Sequence, residues 1–262
     1  MMHRQEIEHI PVFGSPSQLF KPVAREYSDG QLLAPHWHHA AQLIYAESGV
    51  MELSCEESFW IISPQQALWM PAELPHRLKA RGPVSLRSVY FQPDALPERF
   101  SKQPQSLVVS PLLRELMKSA MPVTNSSPPS SREVHLLQLL MSEIGWAQEI
   151  PLKLPMPKDN RLQKICLGLL ADPGNGCTLS QWGEIVGASP RTLSRLFQTQ
   201  LGTSFAIWRQ QARIFAAIPR LNLGEPIVRV AMEMGYDSAG AFASAFKKMM
   251  GVTPSEFRTQ VV

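Results

Sequence analysis

The sequence predicts an α+β fold in two domains. An N-terminal all-β barrel or sandwich comes first, then a helical linker, then a C-terminal all-α domain with two helix-turn-helix motifs. Three observations predict it. Short apolar runs alternate with Gly and Pro breakers over residues 1–105. Proline-rich interruptions bracket two helical patterns over 106–157. A single pattern then occurs twice, 48 residues apart, within 158–262.

The first region has strand signals at Gln42–Ala46, Val50–Ser54, Phe59–Ile62, Ala67–Met70 and Leu86–Phe91. Ser48-Gly49, Ser63-Pro64, Pro71 and Arg81-Gly82-Pro83 separate them. Short strands at such regular spacing indicate a sandwich or barrel. Trp37, Trp60, Trp69, Met51 and Met70 read as its core. Ser110–Ala120 is expected to be helical, with Pro111 in its first turn. Pro122–Ser131 is a break that no helix crosses. Arg132–Glu149 forms a second helix, with Val134, Leu137, Leu140, Met141 and Ile144 on one face. Pro151, Pro155 and Pro157 form a stiff linker.

The repeat carries the functional signal. Its first copy runs Leu179, Gly183, Ile185, Gly187, Leu193, Phe197, Gly202. Its second runs Ile227, Ala231, Glu233, Gly235, Phe242, Phe246, Gly251. The offset is 48 at Gly183/Ala231 and Gly187/Gly235, and 49 at Phe197/Phe246 and Gly202/Gly251, so the second turn holds one extra residue. A helix-turn-helix needs a small residue in its first helix and a residue tolerant of positive φ in its turn. Gly183 and Ala231 fill the first role, Gly187 and Gly235 the second. Ser189 caps one second helix, with Pro190 at its first position; Ser238 or Asp237 caps the other. Leu193, Leu196, Phe197, Phe242 and Phe246 face inward. Arg191, Thr192, Ser194, Arg195 and Gln198 are then exposed on the first recognition helix, where Arg can bind guanine bidentately. The second recognition helix exposes Ala239, Gly240, Ala241, Ala243, Ser244, Lys247 and Lys248. It is bare at its N-terminal end, which suits backbone or thymine-methyl contact.

Charge agrees with a nucleic-acid partner. Residues 155–262 hold 12 Lys/Arg against 7 Asp/Glu, net +5, whereas residues 1–154 hold 13 against 15, net −2. The basic excess on the repeat half favours a polyanion. Three cysteines, Cys55, Cys166 and Cys177, have no metal-type spacing and suit a reducing compartment. The N-terminus lacks a leader-length apolar core, and no window has the roughly 18 apolar residues of a membrane span. A soluble cytoplasmic protein is expected.

The run from Leu179 to Phe197 resembles the first half of an AraC/XylS-type DNA-binding domain. Gly235-Tyr-Asp-Ser, Phe242, Phe246-Lys-Lys and Gly251-Val-Thr-Pro-Ser-Glu-Phe-Arg258 resemble that family's signature. The resemblance implies two units joined by a long helix around Ser204–Ile218, each addressing a major groove of double-stranded promoter DNA on one face. Two departures stand out. Pro219 should end or kink the joining helix. Ala and Gly replace larger polar residues on the second recognition helix. Ala212–Pro226 and His38–Gly49 also resemble the NimR-type subgroup of the family, whose members commonly control a neighbouring efflux transporter gene. RNA polymerase is the implied partner of an activator.

In the β region, His36, His38, Gln42 and Gly49, followed by Pro71 and His76, have the spacing of the two cupin motifs. Gln42 replaces the usual Glu and Ala80 a usual Asn. The resemblance implies a cupin-like barrel. Residues two apart on a strand point the same way, so His36 and His38 can converge. With His76 and Gln42 they form a candidate site for a divalent metal such as Zn, Ni or Fe. His39 reads as a solvated neighbour. The expected function is a sequence-specific regulator with a small effector in the barrel, and with Ser110–Ala120 and Arg132–Glu149 forming a homodimer. The alternative is a cupin-type metalloenzyme with an accessory DNA-binding domain, although no base is visible beside the histidines.

Overall fold

A computed structural model describes residues 7–13, 18–55, 58–64, 66–123, 130–150 and 152–259. The middle of the expected break at Pro122–Ser131 lies outside them, as do Pro151 and the first six residues of the N-terminal stretch. The chain divides into two compact units, Met1–Glu56 with Trp60–Lys153, and Glu57–Phe59 with Leu154–Val262.

The first unit is built on strands β1 (Glu8–His9), β2 (Phe20–Tyr27), β3 (Leu32–Trp37), β4 (Ala41–Cys55), β5 (Ser58–Ile62), β6 (Gln66–Met70), β7 (His76–Phe91), β8 (Gln105–Val108) and β9 (Glu149–Ile150). Their order is β1-β3-β7-β4-β6-β8-β9, with β2 also on β7 and β5 on β4. β4 and β7 form the spine. The expected breakers Ser48-Gly49 and Arg81-Gly82-Pro83 do not end strands; they bend two long ones at the same place. The β4–β7 register jumps from Ser48↔Ser85 to Val50↔Arg81. Gly49 has φ +78, and a Cβ there would sit 2.1 Å from the Pro83 carbonyl oxygen. A bulge therefore turns the corner. On one side of it β7 pairs with β3, as at His36↔His76; on the other it pairs with β2, from Phe20↔Phe91 to Tyr27↔Val84.

Strand alternation sends side chains into two separate cores. Leu43, Tyr45, Trp69, Val89 and Phe91 pack on one face under α1 (Pro111–Ala120) and α2 (Ser131–Trp146), with Leu113, Leu116, Met117, Leu140 and Ile144 from the helices. Ile44, Met51, Trp60, Met70, Leu78 and Leu86 fill the other face. Trp37, read as core, is instead half-buried and stacks on His9 and His39, with ring centroids 4.4 and 4.9 Å away.

Both helices begin behind serine caps. Leu113 N–H donates to Ser110 Oγ at 3.0 Å, and Ser130 and Glu133 form a reciprocal capping box. Helix α2 ends at Trp146, short of the expected Glu149, because Glu149 pairs with Leu107 in the sheet. The helical region expected over 106–157 is not a body of its own: both helices share the first unit's core.

The second unit contains α3 (Asn160–Ala171), α4 (Leu179–Val186), α5 (Pro190–Leu201), α6 (Phe205–Asn222), α7 (Ile227–Glu233), α8 (Ala239–Met250) and α9 (Pro254–Thr259). Helix α6 starts behind the Ser204 cap but does not end at Pro219. It runs to Asn222, and Leu223 N–H then bonds the Pro219 carbonyl at 3.0 Å.

The placement of α2 predicts a contrast. Leu140 is fully buried and Leu139 is 43% exposed. Leu140→Ala should cost about 2–5 kcal/mol and Leu139→Ala within about 0.5 kcal/mol. Urea titration of the full chain, followed by tryptophan fluorescence, measures both; similar losses would place the buried face elsewhere.

Candidate functional site

The two sequence repeats are α4–α5 and α7–α8. Gly187 (φ +68) and Gly235 (φ +74) occupy equivalent turns. Ala188 N–H bonds the Gly183 carbonyl and Tyr236 N–H bonds the Ala231 carbonyl, each at 3.0 Å, so Tyr236 aligns with Ala188. Asp237 is then the extra residue before the Ser238 cap. Gly183 is required by the turn rather than by the second helix: a Cβ there would lie 2.4 Å from the Ala188 carbonyl oxygen and 3.8 Å from Leu193.

One arginine joins the two helix-turn-helix motifs. Arg213, on α6, donates to the carbonyls of Pro173 (3.0 Å), Asn175 (3.4 Å) and Gly235 (2.9 Å). Its guanidinium lies 5.6 Å from the Tyr236 ring centroid. The loop before α4 is thereby tied to the turn of the second motif. A Cβ on Gly174 would lie 2.5 Å from the Glu233 carbonyl oxygen, so the backbones nearly touch. Trp208 Nε1 also ties α6 to the Pro155 carbonyl at 2.8 Å.

Internal pairing resolves the unit's basic excess onto particular surfaces. Arg161, Arg220 and Arg229 are in ion pairs, and Arg209, Arg213 and Arg258 donate to backbone carbonyls. Arg191, Arg195, Lys247 and Lys248, like Lys164 on α3, are exposed and have no side-chain hydrogen bond or ion pair among the described residues. Ser194 and Gln198 share the exposed face of α5 with the two arginines. Thr192 is half-buried, and its hydroxyl lies 2.9 Å from Ser189 Oγ, which also accepts Thr192 N–H. Both hydroxyls are occupied in capping α5. Ser238 Oγ caps α8 by accepting from Ala241 N–H at 3.1 Å. Gly240, Ala241 and Ser244 are exposed on α8, while Ala239 and Ala243 are half-buried.

The first unit gathers the sequence's histidines. His36, His38 and His76 are all buried, and one ring nitrogen of each lies within 4.8 Å of the others'. Each Nδ1–H donates to a backbone carbonyl: His36 to Ala34 (2.9 Å), His38 to Ala40 (2.7 Å) and His76 to Leu74 (2.8 Å). These bonds fix the tautomer and leave the lone pair on Nε2. His76 Nε2 is buried with no hydrogen-bond partner. Gln42 Oε1 faces His38 Nε2 at 3.1 Å, while Gln42 Nε2 donates to Ser88 Oγ at 3.0 Å. With His38 neutral, two acceptors face each other there. A cation among them satisfies both, as does exchange of the amide's oxygen and nitrogen. The donor set, three imidazole nitrogens and an amide oxygen, fits a divalent transition metal.

Neighbouring residues complete the site. Glu73 is the non-glycine residue at positive φ (+65) among those described, and its N–H holds the His38 carbonyl at 2.8 Å. His39 is exposed and pairs with Glu73 at 3.1 Å. A hollow beside the histidines is lined by His36 and Gln42 and also by Arg25, Tyr27, Ser88 and Tyr90. Sequence reading missed these last four. Their signal is the alternation Val23-Arg25-Tyr27 and Leu86-Ser88-Tyr90.

Comparison with known proteins matches an "AraC-like ligand binding domain" over residues 23–140 and a "Helix-turn-helix domain" over 182–260. The chain is 30% identical over 228 residues, 87% of its length, to the HTH-type transcriptional regulator NimR of Escherichia coli K12, of which it covers 83%. This chain belongs to the AraC family of transcriptional regulators. The family member is also 36% identical over 127 residues to the arabinose operon regulatory protein of E. coli K12, covering 47% of this chain and 42% of that one. The crystal structure of ToxT from Vibrio cholerae O395 aligns over 93% of this chain and 98% of its own, with TM-score 0.41 at 14% identity. This AraC-family regulator is therefore a DNA-binding protein with an N-terminal ligand-binding domain, not the metalloenzyme of the alternative reading; its relatives are named as transcriptional regulators. No helix among the described residues is long and apolar enough to cross a membrane.

Burial holds His36, His38 and His76 below the ordinary imidazole range, with His76 down to about 3. Below about pH 6.5 the unfolded chain binds protons on these rings and the folded regulator does not, so stability falls as pH is lowered through that range. Metal-free protein should melt at progressively lower temperature from pH 6.5 to 4, and His76→Gln should flatten the slope. A wild-type melting temperature that is constant over that range would contradict this account.

Proposed function

We propose that this regulator acts in the cytoplasm as an effector-responsive homodimer. In this reading the first helix-turn-helix chooses the DNA sequence and the second mainly holds the backbone. The observation that carries the reading is the distribution of unpaired groups. Arg191 and Arg195 stand with Ser194 and Gln198 on α5, while α8 is bare at its N-terminal end and carries Lys247 and Lys248 near its last turn. Arginine forks suit base edges, and lysines suit phosphates. Apolar residues exposed on α1 and α2, Leu112 and Leu139 among them, support dimerisation through those helices. The NimR resemblance supports a target in a neighbouring efflux transporter gene, and RNA polymerase contact if the output is activation.

Footprinting on the upstream region of the chain's own gene tests the DNA reading. Protection should span two major grooves per protomer. Arg195→Ala should weaken binding by about 1–3 kcal/mol and relax preference at one position. Lys247→Ala should weaken all sequences alike and reduce the salt slope by about one. Equal loss of sequence preference in both variants would remove the division of labour.

We also propose that His36, His38, His76 and Gln42 hold one divalent metal. The metal would supply a fixed positive charge beside the hollow. Titration with Co2+ should give one equivalent per chain with visible absorption. His76→Ala should weaken it by tenfold or more, and less than a tenth of an equivalent in wild type would dispose of the site.

A further inference from the structure

We propose, resting on the reading that the first motif chooses the sequence, that Arg191 and Arg195 each bind one guanine, the two lying within about three consecutive base pairs of one major groove. The second motif needs no guanine.

The polar side chains of α5 divide by what already holds them. Thr192 Oγ1 is shared with the Ser189 cap at 2.9 Å, and Thr199 Oγ1 donates to the Leu196 carbonyl at 3.4 Å. Gln200 Oε1 accepts from the Lys158 and Asp159 N–H groups, each at 3.1 Å. Arg191, Ser194, Arg195 and Gln198 are exposed, with no side-chain hydrogen bond or ion pair among the described residues. Positions 191 and 195 lie on the same face of the helix, about 6 Å apart along its axis. Successive base pairs are about 3.4 Å apart, so two forks at this spacing meet bases about two steps apart. Helix α5 has no Asp, Glu or Asn. Nothing on it competes for the forks or accepts from cytosine as a carboxylate does. Gln198, the free amide, lies in the third turn, away from the N-terminal end that meets base edges.

Folding does not explain the position of Arg191. It is the second residue of α5, at the positive end of the helix dipole, and the first turn holds no acidic residue. A cation there costs stability. Lys247 and Lys248 stand in the last turn of α8, where the same dipole favours them. A ligand that accepts from Arg191 accounts for the unfavourable placement, and guanine O6 and N7 take both donors of an arginine fork. Helix α8 has no such group at its N-terminal end. Gly240 and Ala241 are bare there, Ser244 offers one hydroxyl, and the lysines are remote from that end.

The experiment begins with selection of duplexes from a random pool by the full chain. Each guanine of the selected duplex is then replaced singly by 7-deazaguanine, which lacks the N7 acceptor, and affinity is measured. Wild type should lose about fivefold or more, the lower end of what a bidentate pair contributes, at two guanines within about three base pairs. No guanine one helical turn away should show a loss. The loss at one guanine should vanish in Arg191→Ala and the loss at the other in Arg195→Ala, a pattern that a merely structural role would not give. Both side chains are exposed, and circular dichroism checks that each variant is folded. Losses that persist undiminished in both variants, or adenine selected at those positions, would overturn the guanine assignment and leave the first motif as the sequence reader. Guanine losses in both grooves, of which the arginine variants erase only one groove's, would overturn the division of labour itself. So would a pool in which no sequence is enriched.

Discussion

The DNA-binding half depends on the guanidinium of Arg213. A duplicated helix-turn-helix is useful only if the two recognition helices keep a fixed separation, because major grooves recur at a fixed distance. Arg213 projects from α6 and donates to carbonyls on both sides, Pro173 and Asn175 before the first motif and Gly235 in the turn of the second. Backbone carbonyls are fixed acceptors, so these bonds constrain position as well as supply energy. Bonds from a charged donor contribute roughly 1.5–3 kcal/mol each when well made. The close approach of Gly174 to Glu233 leaves little room for the two motifs to shift.

On that frame the two motifs can share a core plan while differing on the surface. Phe197 packs on Phe205 in the first motif; Phe242, Phe246 and Phe257 form a chain of tilted and edge contacts in the second. Both recognition helices have a serine cap and a left-handed glycine at the end. The packing interactions are duplicated, so the exposed positions are free to diverge. The extra turn residue of the second motif accompanies Tyr236, which packs on Phe242 and lies under Arg213. The insertion and the clamp belong to one arrangement.

Much of this was legible in the sequence because it is local. Caps at Ser189 and Ser238 and the positive φ of Gly187 and Gly235 follow from residue type and spacing alone. The convergence of His36, His38, Gln42 and His76 was legible from spacing and from the cupin resemblance. Long-range pairing was not. Ser48-Gly49 and Arg81-Gly82-Pro83 read as two turns, and only their alignment across β4 and β7 makes them one corner. Strand β2 was missed because its mixture of Lys21, Pro22, Arg25 and Glu26 lacks a clean apolar face; the pairing with β7 supplies what propensity does not. Arg25 was missed with it. Arg213 was invisible for a related reason: its acceptors are backbone carbonyls, which leave no trace in residue type. At Pro219 the helix continues rather than ends, a local rule overridden by burial of the helix that contains it.

The sensor half adds a constraint of its own. His36 and His76 are paired residues on adjacent antiparallel strands, so strand hydrogen bonds already fix their spacing. His38 lies past the end of β3, and its carbonyl is held by the strained Glu73 in the turn before β7. Any ligand that draws the three rings together must therefore move His38 more than the other two. A non-glycine residue at positive φ costs roughly 1–3 kcal/mol, so this turn holds strain that the bond to the His38 carbonyl helps to offset. A ligand can shift the placement of His38 only by its difference in affinity for the two arrangements. The strain at Glu73 is small enough for one well-placed charge interaction to offset.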